Sequence, residues 1–328
     1  MKVDLHRHLL GSIPKKLVTK LLEDSTGRDL TKRLSSRQEE FLRSTVEGEA
    51  LLAKLSQKAG VLSAEDLKSF PSLTGFLQCY VAASCLIDTN ESFNYLVSAV
   101  VSEILAEGLE HVELTISPSI YLDRGIDFSL VAEALLRAKE ESNGVVHWLL
   151  DPIRNRGEEH AVELLKKFLD ESPGLLSGVS LAGDETSVPL PHFSKYFETA
   201  KEFGLGTTCH LGENLSSTEM PSALKLPLDR IGHGLAAIND EDTLVRLIER
   251  GVVFEICLCS NLQTGVISEI CEHPIIPLLQ KGARVTLATD DPFFFDTTIA
   301  REFELSSEHF ERWNILFCKD SYGGWFVG

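Results

Sequence analysis

Residues 90–118 read NESFNYLVSAVVSEILAEGLEHVELTISP, and this stretch decides the fold. Phe93, Leu96, Val97, Val100, Val101, Ile104 and Leu105 recur at the i, i+3, i+4, i+7 spacing of one helix face. Asn90 is placed to cap the start and Gly108 to end it. The period then switches, and Val112 to Ile116 reads as a short strand. A helix feeding a strand after a few residues implies a crossover unit with parallel pairing.

The same alternation extends in both directions. Strand-like runs occur at Val3 to Leu5, Val112 to Ile116, Val145 to Leu150, Gly178 to Leu181, Thr207 to Cys209, Arg230 to Ile231, Val253 to Cys257 and Val285 to Ala288. Helical patterns at Leu130, Val131, Ala134, Leu135 and Ala138, and at Ala161, Leu164, Leu165 and Phe168, separate successive runs. These repeated units predict an α/β fold, a closed TIM (β/α)8 barrel rather than an open sheet. Between Ser12 and Asp88 the rhythm breaks. Ile13 to Leu22, Gln38 to Leu55 and Leu73 to Leu86 look helical, which predicts a lid-like helical insertion (about 13–88) after the first strand. Phe70, Phe76, Leu77 and Tyr80 are its candidate pocket walls. No low-complexity linker divides the chain, so residues 1–328 are expected to form a single domain.

Composition narrows the function. Hydrophobic residues make up 43% and charged residues 24%, as in a globular protein. The net charge of −18 argues against nucleic acid or an anionic membrane as partner, but not against a neutral nucleoside. No apolar run approaches the roughly 18 residues of a membrane helix. The N-terminus MKVDLHRHLL carries charges where a signal peptide needs an apolar core, so a cytoplasmic location is expected. The seven scattered cysteines read as reduced thiols. Cys257 and Cys259, within FEICLC, read as part of a buried strand rather than a metal site.

Polar groups collect where the runs end. His6 and His8 are two apart on the first strand and point the same way. His210 follows the fifth run, His233 the sixth, and Asp290 and Asp291 the eighth. Barrel enzymes keep catalytic residues at these strand ends. His6, His8, His210 and Asp290 together suit Zn²⁺, which takes imidazole nitrogen and carboxylate oxygen. Glu213, three residues after His210 in His-Leu-Gly-Glu, is placed for general acid work. Gly183-Asp184-Glu185 is open to two readings, a backbone N–H offered to a ligand or an acidic helix start. In two-metal barrel hydrolases a carboxylated lysine often bridges the ions from the fourth strand. GVSLAGDE has no lysine, so one zinc per chain is expected.

With these residues in view, the sequence resembles the adenosine deaminase family of the amidohydrolase superfamily. The matching segments are KVDLHRHLLGSI, GVSLAGDE, HLGE, RIGHG, CSN and TDDP, in the family's order. The resemblance implies a zinc-dependent barrel hydrolysing the 6-amino group of an adenosine-like purine nucleoside to the inosine-like 6-oxo compound, with release of ammonia. It implies that His6, His8, His210 and Asp290 bind zinc and that Glu213 donates a proton to purine N1. It further implies that His233 orients the attacking water and takes its proton, that Asp291 holds N7, and that the Gly183 N–H holds N3.

Three departures stand out. Where the family usually has a carboxylate after His-x-His-Leu, contacting the ribose 5′-hydroxyl of adenosine, this chain has Leu10. Where the second strand often reads Glu-x-Arg-x-x-Pro, Thr115 replaces the arginine. The final SYGGWFVG has no helical pattern, whereas the family usually continues through more helix. Leu10 leaves a 5′-modified nucleoside, an N6-substituted purine or free adenine as alternative substrates. A non-catalytic purine-binding relative is the alternative of another class. Oligomeric state is left open.

Overall fold

The computed structural model describes residues 2–57, 62–185, 187–216 and 218–310, and the SYGGWFVG tail lies outside them. Among these residues the strands are β1 (Val3–His8), β2 (His111–Ile116), β3 (Val146–Leu150), β4 (Leu176–Val179), β5 (Gly206–Thr207), β6 (His210–Leu211), β7 (Arg230–His233), β8 (Val253–Ile256) and β9 (Arg284–Leu287). All pair in parallel, β1 to β5 in one run and β6 to β9 in another. Two seams join the runs into a curled, closing sheet. At the first, the N–H groups of Thr208 and His210 donate to Val179 and Leu181, each at 3.0 Å. At the second, the Asp290 N–H donates to the His6 carbonyl at 2.8 Å and the His8 N–H to the Asp290 carbonyl at 2.9 Å.

The fifth run is therefore two short strands on either side of Thr208-Cys209. The sixth is longer than its apolar signal, because Gly232 and His233 pair with β6 through the backbone. The FEICLC run is strand only as far as Ile256, and a helix takes over at Leu258. The Glu302 carboxylate accepts the Leu258 N–H at 2.9 Å and the Cys259 N–H at 3.4 Å, which starts the helix there.

Between β1 and β2 lie α1 (Lys15–Asp24), α2 (Ser36–Leu42), α3 (Val46–Leu55), α4 (Ala64–Leu67), α5 (Leu73–Ser84) and α6 (Asn90–Ala106). The helix expected over 38–55 is two. Thr45 caps α3 through the Gly48 N–H, and the buried Gln78 amide of α5 binds both Thr45 and the Phe41 carbonyl across the break. Thr89, not Asn90, caps α6, because Thr89 and Ser92 form a reciprocal capping box. Gly108 ends that segment at a φ of +69°, which costs glycine little.

Then come α7 (Ser119–Leu122) and α8 (Phe128–Glu141) before β3, α9 (Gly157–Glu171) before β4 and α10 (Ser194–Glu202) before β5. The last are α11 (Glu241–Glu249), α12 (Leu258–Gln263), α13 (Ile275–Gln280), α14 (Pro292–Phe295) and α15 (Ile299–Phe310). The insertion packs on α14: Phe76 meets Phe294 and Phe295, and Tyr80 stacks on Phe294 at 5.7 Å. Among the described residues no helix is long and apolar enough to cross a membrane.

Inside the sheet the interior is charged as well as apolar. Arg230 of β7 lies fully buried between Glu113 of β2 and Glu255 of β8 and donates to both. A buried guanidinium is tolerable only when paired in this way.

Candidate active site

The loops that follow the strands converge on one cluster. His6 and His8 leave β1 on the same face. His6 Nε2 lies 3.1 Å and His8 Nε2 3.2 Å from His210 Nε2. Asp290 Oδ1 is 3.4 Å from His6 Nε2 and 3.2 Å from His8 Nε2. Four donors set about 2.0–2.1 Å from one tetrahedral ion would stand about 3.3–3.4 Å apart. The observed edges fit that polyhedron.

The electrostatics agree. Burial, with His6 and His8 nearby, holds His210 well below the ordinary imidazole range, so it presents a lone pair. Burial also opposes a charge on His6, yet Asp290 and Glu255 on either side raise it to about 10. The position between those carboxylates attracts a positive charge. Burial works against the charged form of Asp290, but the rings of His6 and His8 hold it well below the usual carboxylate range. Three ring nitrogens and a carboxylate oxygen that converge this closely fit a zinc ion.

Supporting groups fix the donors. Glu255 Oε2 accepts the His6 Nδ1–H at 2.7 Å, which turns the Nε2 lone pair inward. Ser260 Oγ donates to Asp290 Oδ2 at 2.8 Å and leaves Oδ1 facing the histidines. His233 and Asp290 both have left-handed backbone, with φ of 60° and 62°. For non-glycine residues this costs on the order of 1–3 kcal/mol each and is held by the surroundings.

Of the remaining expected residues, Glu213, His233 and Asp291 lie against this cluster. Glu213 follows β6, and its Oε1 is 3.8 Å from His233 Nε2. Burial, then the charges of Asp290 and Glu185, push its carboxyl well above the usual range, toward the protonated form. Asp291 is raised in the same way by burial and by Asp290, and its Oδ1 is buried with no hydrogen-bond partner. The 3₁₀ turn Leu10–Ser12 passes so close that a Cβ on Gly11 would fall 1.7 Å from Asp291 Oδ1. Leu10 is 1% exposed and belongs to the apolar core. Gly183 lies on the loop after β4, at a φ of +105°.

Of the two readings for Gly183-Asp184-Glu185, no helix starts there. Glu185 instead accepts the N–H groups of Gly212 and Glu213 at 2.8 and 3.0 Å and so positions the Glu213 backbone. Cys257 is nearer the centre than a purely structural strand residue would be. Its sulfur lies within 4.8 Å of donor atoms of His233 and Asp290. Burial and then Asp290 push its thiol well up, which favours the neutral thiol.

Several functional residues carried no motif of their own. Glu255 sits in the apolar run FEICLC, where a charge among buried residues was the available signal. Asp151, after β3, accepts from Ser117, Ile153 and Ala182 and braces the loop that carries Gly183. His273 is fully inside and contacts Asn261, and nothing in its local sequence marks it.

Residues 50–314 match the profile of the family described as Adenosine deaminase. An adenine deaminase of Rhizobium leguminosarum bv. trifolii is 32% identical over 269 residues, covering 79% of this chain and 84% of its own. The crystal structure of an adenine deaminase from Arthrobacter aurescens superposes with a TM-score of 0.79 at 23% identity, covering 100% of this chain and 94% of that one. An amidohydrolase from Burkholderia ambifaria with bound Zn superposes with a TM-score of 0.78 at 20% identity, covering 100% and 86%. These two likenesses show the barrel fold. With the profile match and the 32% relative, the chain belongs to the adenosine deaminase family of the amidohydrolase superfamily.

Proposed function

We propose that this chain is a one-zinc hydrolase that converts a 6-aminopurine to the 6-oxopurine and ammonia, and that it reads the base rather than the sugar. The observation that carries this is a pair of buried carboxyls, Glu213 and Asp291, both raised well above their usual range, beside a cluster of zinc-type ligands, with Asp291 Oδ1 left without a partner. Neutral carboxyls are O–H donors. The ring nitrogens N1, N3 and N7 of a 6-aminopurine are all acceptors. His6, His8, His210 and Asp290 would hold the metal, and an amidohydrolase of the same fold carries bound Zn. Zinc bound there supplies a lowered pKa for water, from about 15.7 toward about 7.

The chain's own residues supply the rest. An aromatic C6 resists attack until negative charge can move onto N1. Glu213 places its proton at N1 and neutralises that charge as it forms. Asp291 donates to N7 and the Gly183 N–H to N3, which fixes the ring plane. His233, with its Nε2 3.8 Å from Glu213 Oε1, is placed to meet the attacking oxygen. Water adds its oxygen to C6, and its two protons balance the change: one ends on N6, so that the C6–N6 bond breaks and ammonia leaves, and the other replaces the proton that Glu213 gives to N1. Deep burial of these groups keeps bulk water away from the reacting atoms.

Free adenine is the proposed best substrate. The Rhizobium and Arthrobacter relatives are adenine deaminases, and Leu10, buried and apolar, gives a 5′-hydroxyl no polar partner. A buried hydroxyl without a partner costs about 1–3 kcal/mol, about 5- to 150-fold in a rate or binding constant. Leu10 also favours a second reading, a nucleoside with an apolar 5′ group. The test is kcat/KM for adenine, adenosine, 5′-deoxy and 5′-alkylthio adenosines and N6-substituted purines, followed by ammonia release. Adenine is expected to exceed adenosine by at least tenfold. Preference for adenosine would overturn the base-only reading. No turnover of any 6-aminopurine by zinc-loaded protein would overturn the deaminase itself.

A further inference from the structure

His233 is surrounded by a chain of hydrogen bonds whose direction can be read from one end to the other. The Ile275 backbone N–H donates to His273 Nδ1 at 3.1 Å. A backbone amide can only donate, so His273 Nδ1 bears a lone pair and, in the neutral ring, the proton sits on Nε2. Burial holds His273 neutral, lowering it to about 3. His273 Nε2 lies 3.2 Å from Asn261 Oδ1. An Nε2–H there requires an acceptor, which fixes the amide's oxygen on the His273 side. The amide nitrogen then faces His233, and Asn261 Nδ2 is 3.2 Å from His233 Nδ1. Asn261 is fully buried, so it has no solvent with which to rearrange. The only orientation that satisfies every atom places a lone pair on His233 Nδ1 and a proton on His233 Nε2.

That nitrogen is buried, has no partner within hydrogen-bond distance, and faces the carboxylates of the site. Glu213 Oε1 is 3.8 Å and Asp290 Oδ2 is 4.0 Å away. An unpartnered buried donor next to a ligand cluster is expected where a substrate atom or water completes the bond. We infer that Asn261 and His273 form a fixed relay from the Ile275 backbone that holds His233 as its Nε2–H tautomer, so that His233 meets the attacking water as a hydrogen-bond donor. His233 then orients the oxygen and does not accept its proton at Nε2, which differs from the role the family resemblance implies. Asn261 and His273 act through His233 and are positioning residues. The inference rests on the deaminase reading only for what His233 touches. The tautomer itself is a property of the resting protein.

The experiment is long-range ¹H–¹⁵N NMR of ¹⁵N-histidine-labelled protein, zinc-free and zinc-loaded, with His233 assigned from its loss in His233→Gln. Wild-type His233 is expected to show a protonated Nε2 and an unprotonated Nδ1 in both states. In Asn261→Asp the carboxylate can only accept, so the proton moves to Nδ1. There kcat is expected to fall by about 10²- to 10⁴-fold, the cost of a wrong histidine tautomer or a lost proton-handling group, with KM changed much less. His273→Gln keeps an N–H donor to Asn261 and should keep the wild-type tautomer. His273→Leu removes that donor, frees the amide to turn, and should give a mixture of the two tautomers. A wild-type ring protonated on Nδ1 alone would overturn the inference, whatever the variants do. A moved proton in Asn261→Asp with unchanged kcat would overturn the catalytic part. The wild-type spectrum needs no substrate, so it separates this inference from the deaminase assignment.

Discussion

Glu255→Gln probes the link between the barrel interior and the metal cluster. Glu255 accepts from three sides at once: Arg230 Nε, His6 Nδ1 at 2.7 Å and Thr208 Oγ1 at 3.0 Å. Burial opposes its charge, but Arg230 and then His6 lower its carboxyl from 4.5 to about 2. That drop corresponds to about 3 kcal/mol of stability, at about 1.4 kcal/mol per pH unit. Removing one partner of a buried ion pair typically costs about 3–5 kcal/mol, in agreement. Because the folded-state value is depressed, this stability is present above pH 4.5 and is lost as pH falls through about 2. The Gln variant should therefore be about 3 kcal/mol less stable than wild type at pH 7 in zinc-free denaturant titrations. The gap should narrow as the pH is lowered from 4.5 toward 2. Zinc affinity by chelator competition should fall about 10- to 100-fold, because His6 loses the charged acceptor that orients it. A variant within 1 kcal/mol of wild type at pH 7, or with unchanged zinc affinity, would refute the coupling.

Three further outcomes are expected. Purified protein should carry one tightly held zinc by elemental analysis, and His6→Ala should lose both the metal and turnover; two metals at the site would contradict the four-donor geometry. Glu213→Gln should fold and keep its zinc yet lose turnover by about 10²- to 10⁴-fold, since an amide cannot protonate N1, and near-normal kcat would remove Glu213 from the mechanism. The acid must be protonated to act, so kcat/KM should fall on the alkaline side as Glu213 ionises. Glu185→Gln removes one of the charges raising Glu213, so that alkaline limb should move to lower pH, and a limb moving upward would contradict the electrostatics.

The barrel was legible in the sequence because its signals are local. A helix face such as Phe93 to Ile104 and a strand such as Val112 to Ile116 each declare themselves within a few turns of chain. His6 and His8 were legible for the same reason, through strand alternation. What escaped was non-local. Glu255 finds His6 across 249 positions, and Arg230 finds Glu113 across 117. No short-range pattern encodes such meetings. CSN could be matched as a segment, yet the direction in which Asn261 donates depends on His273 and on a backbone amide beyond it. Boundaries moved where backbone pairing overrode side-chain character, as at β7, or where a distant carboxylate started a helix early, as Glu302 does at Leu258.

The last seam of the barrel is sewn by the residues proposed to hold the metal. The amide hydrogens that close β1 against the chain beyond β9 belong to His8 and Asp290, and the acceptors to His6 and Asp290. All three residues also lend side chains to the proposed ion site. Closure of the cylinder and capture of the ion therefore share the same peptide groups. The seam is expected to be where the zinc-free protein opens first, so the amides of His8 and Asp290 should exchange with solvent deuterium much faster without metal. The amides that join β2 to β3, away from both seams, should change little.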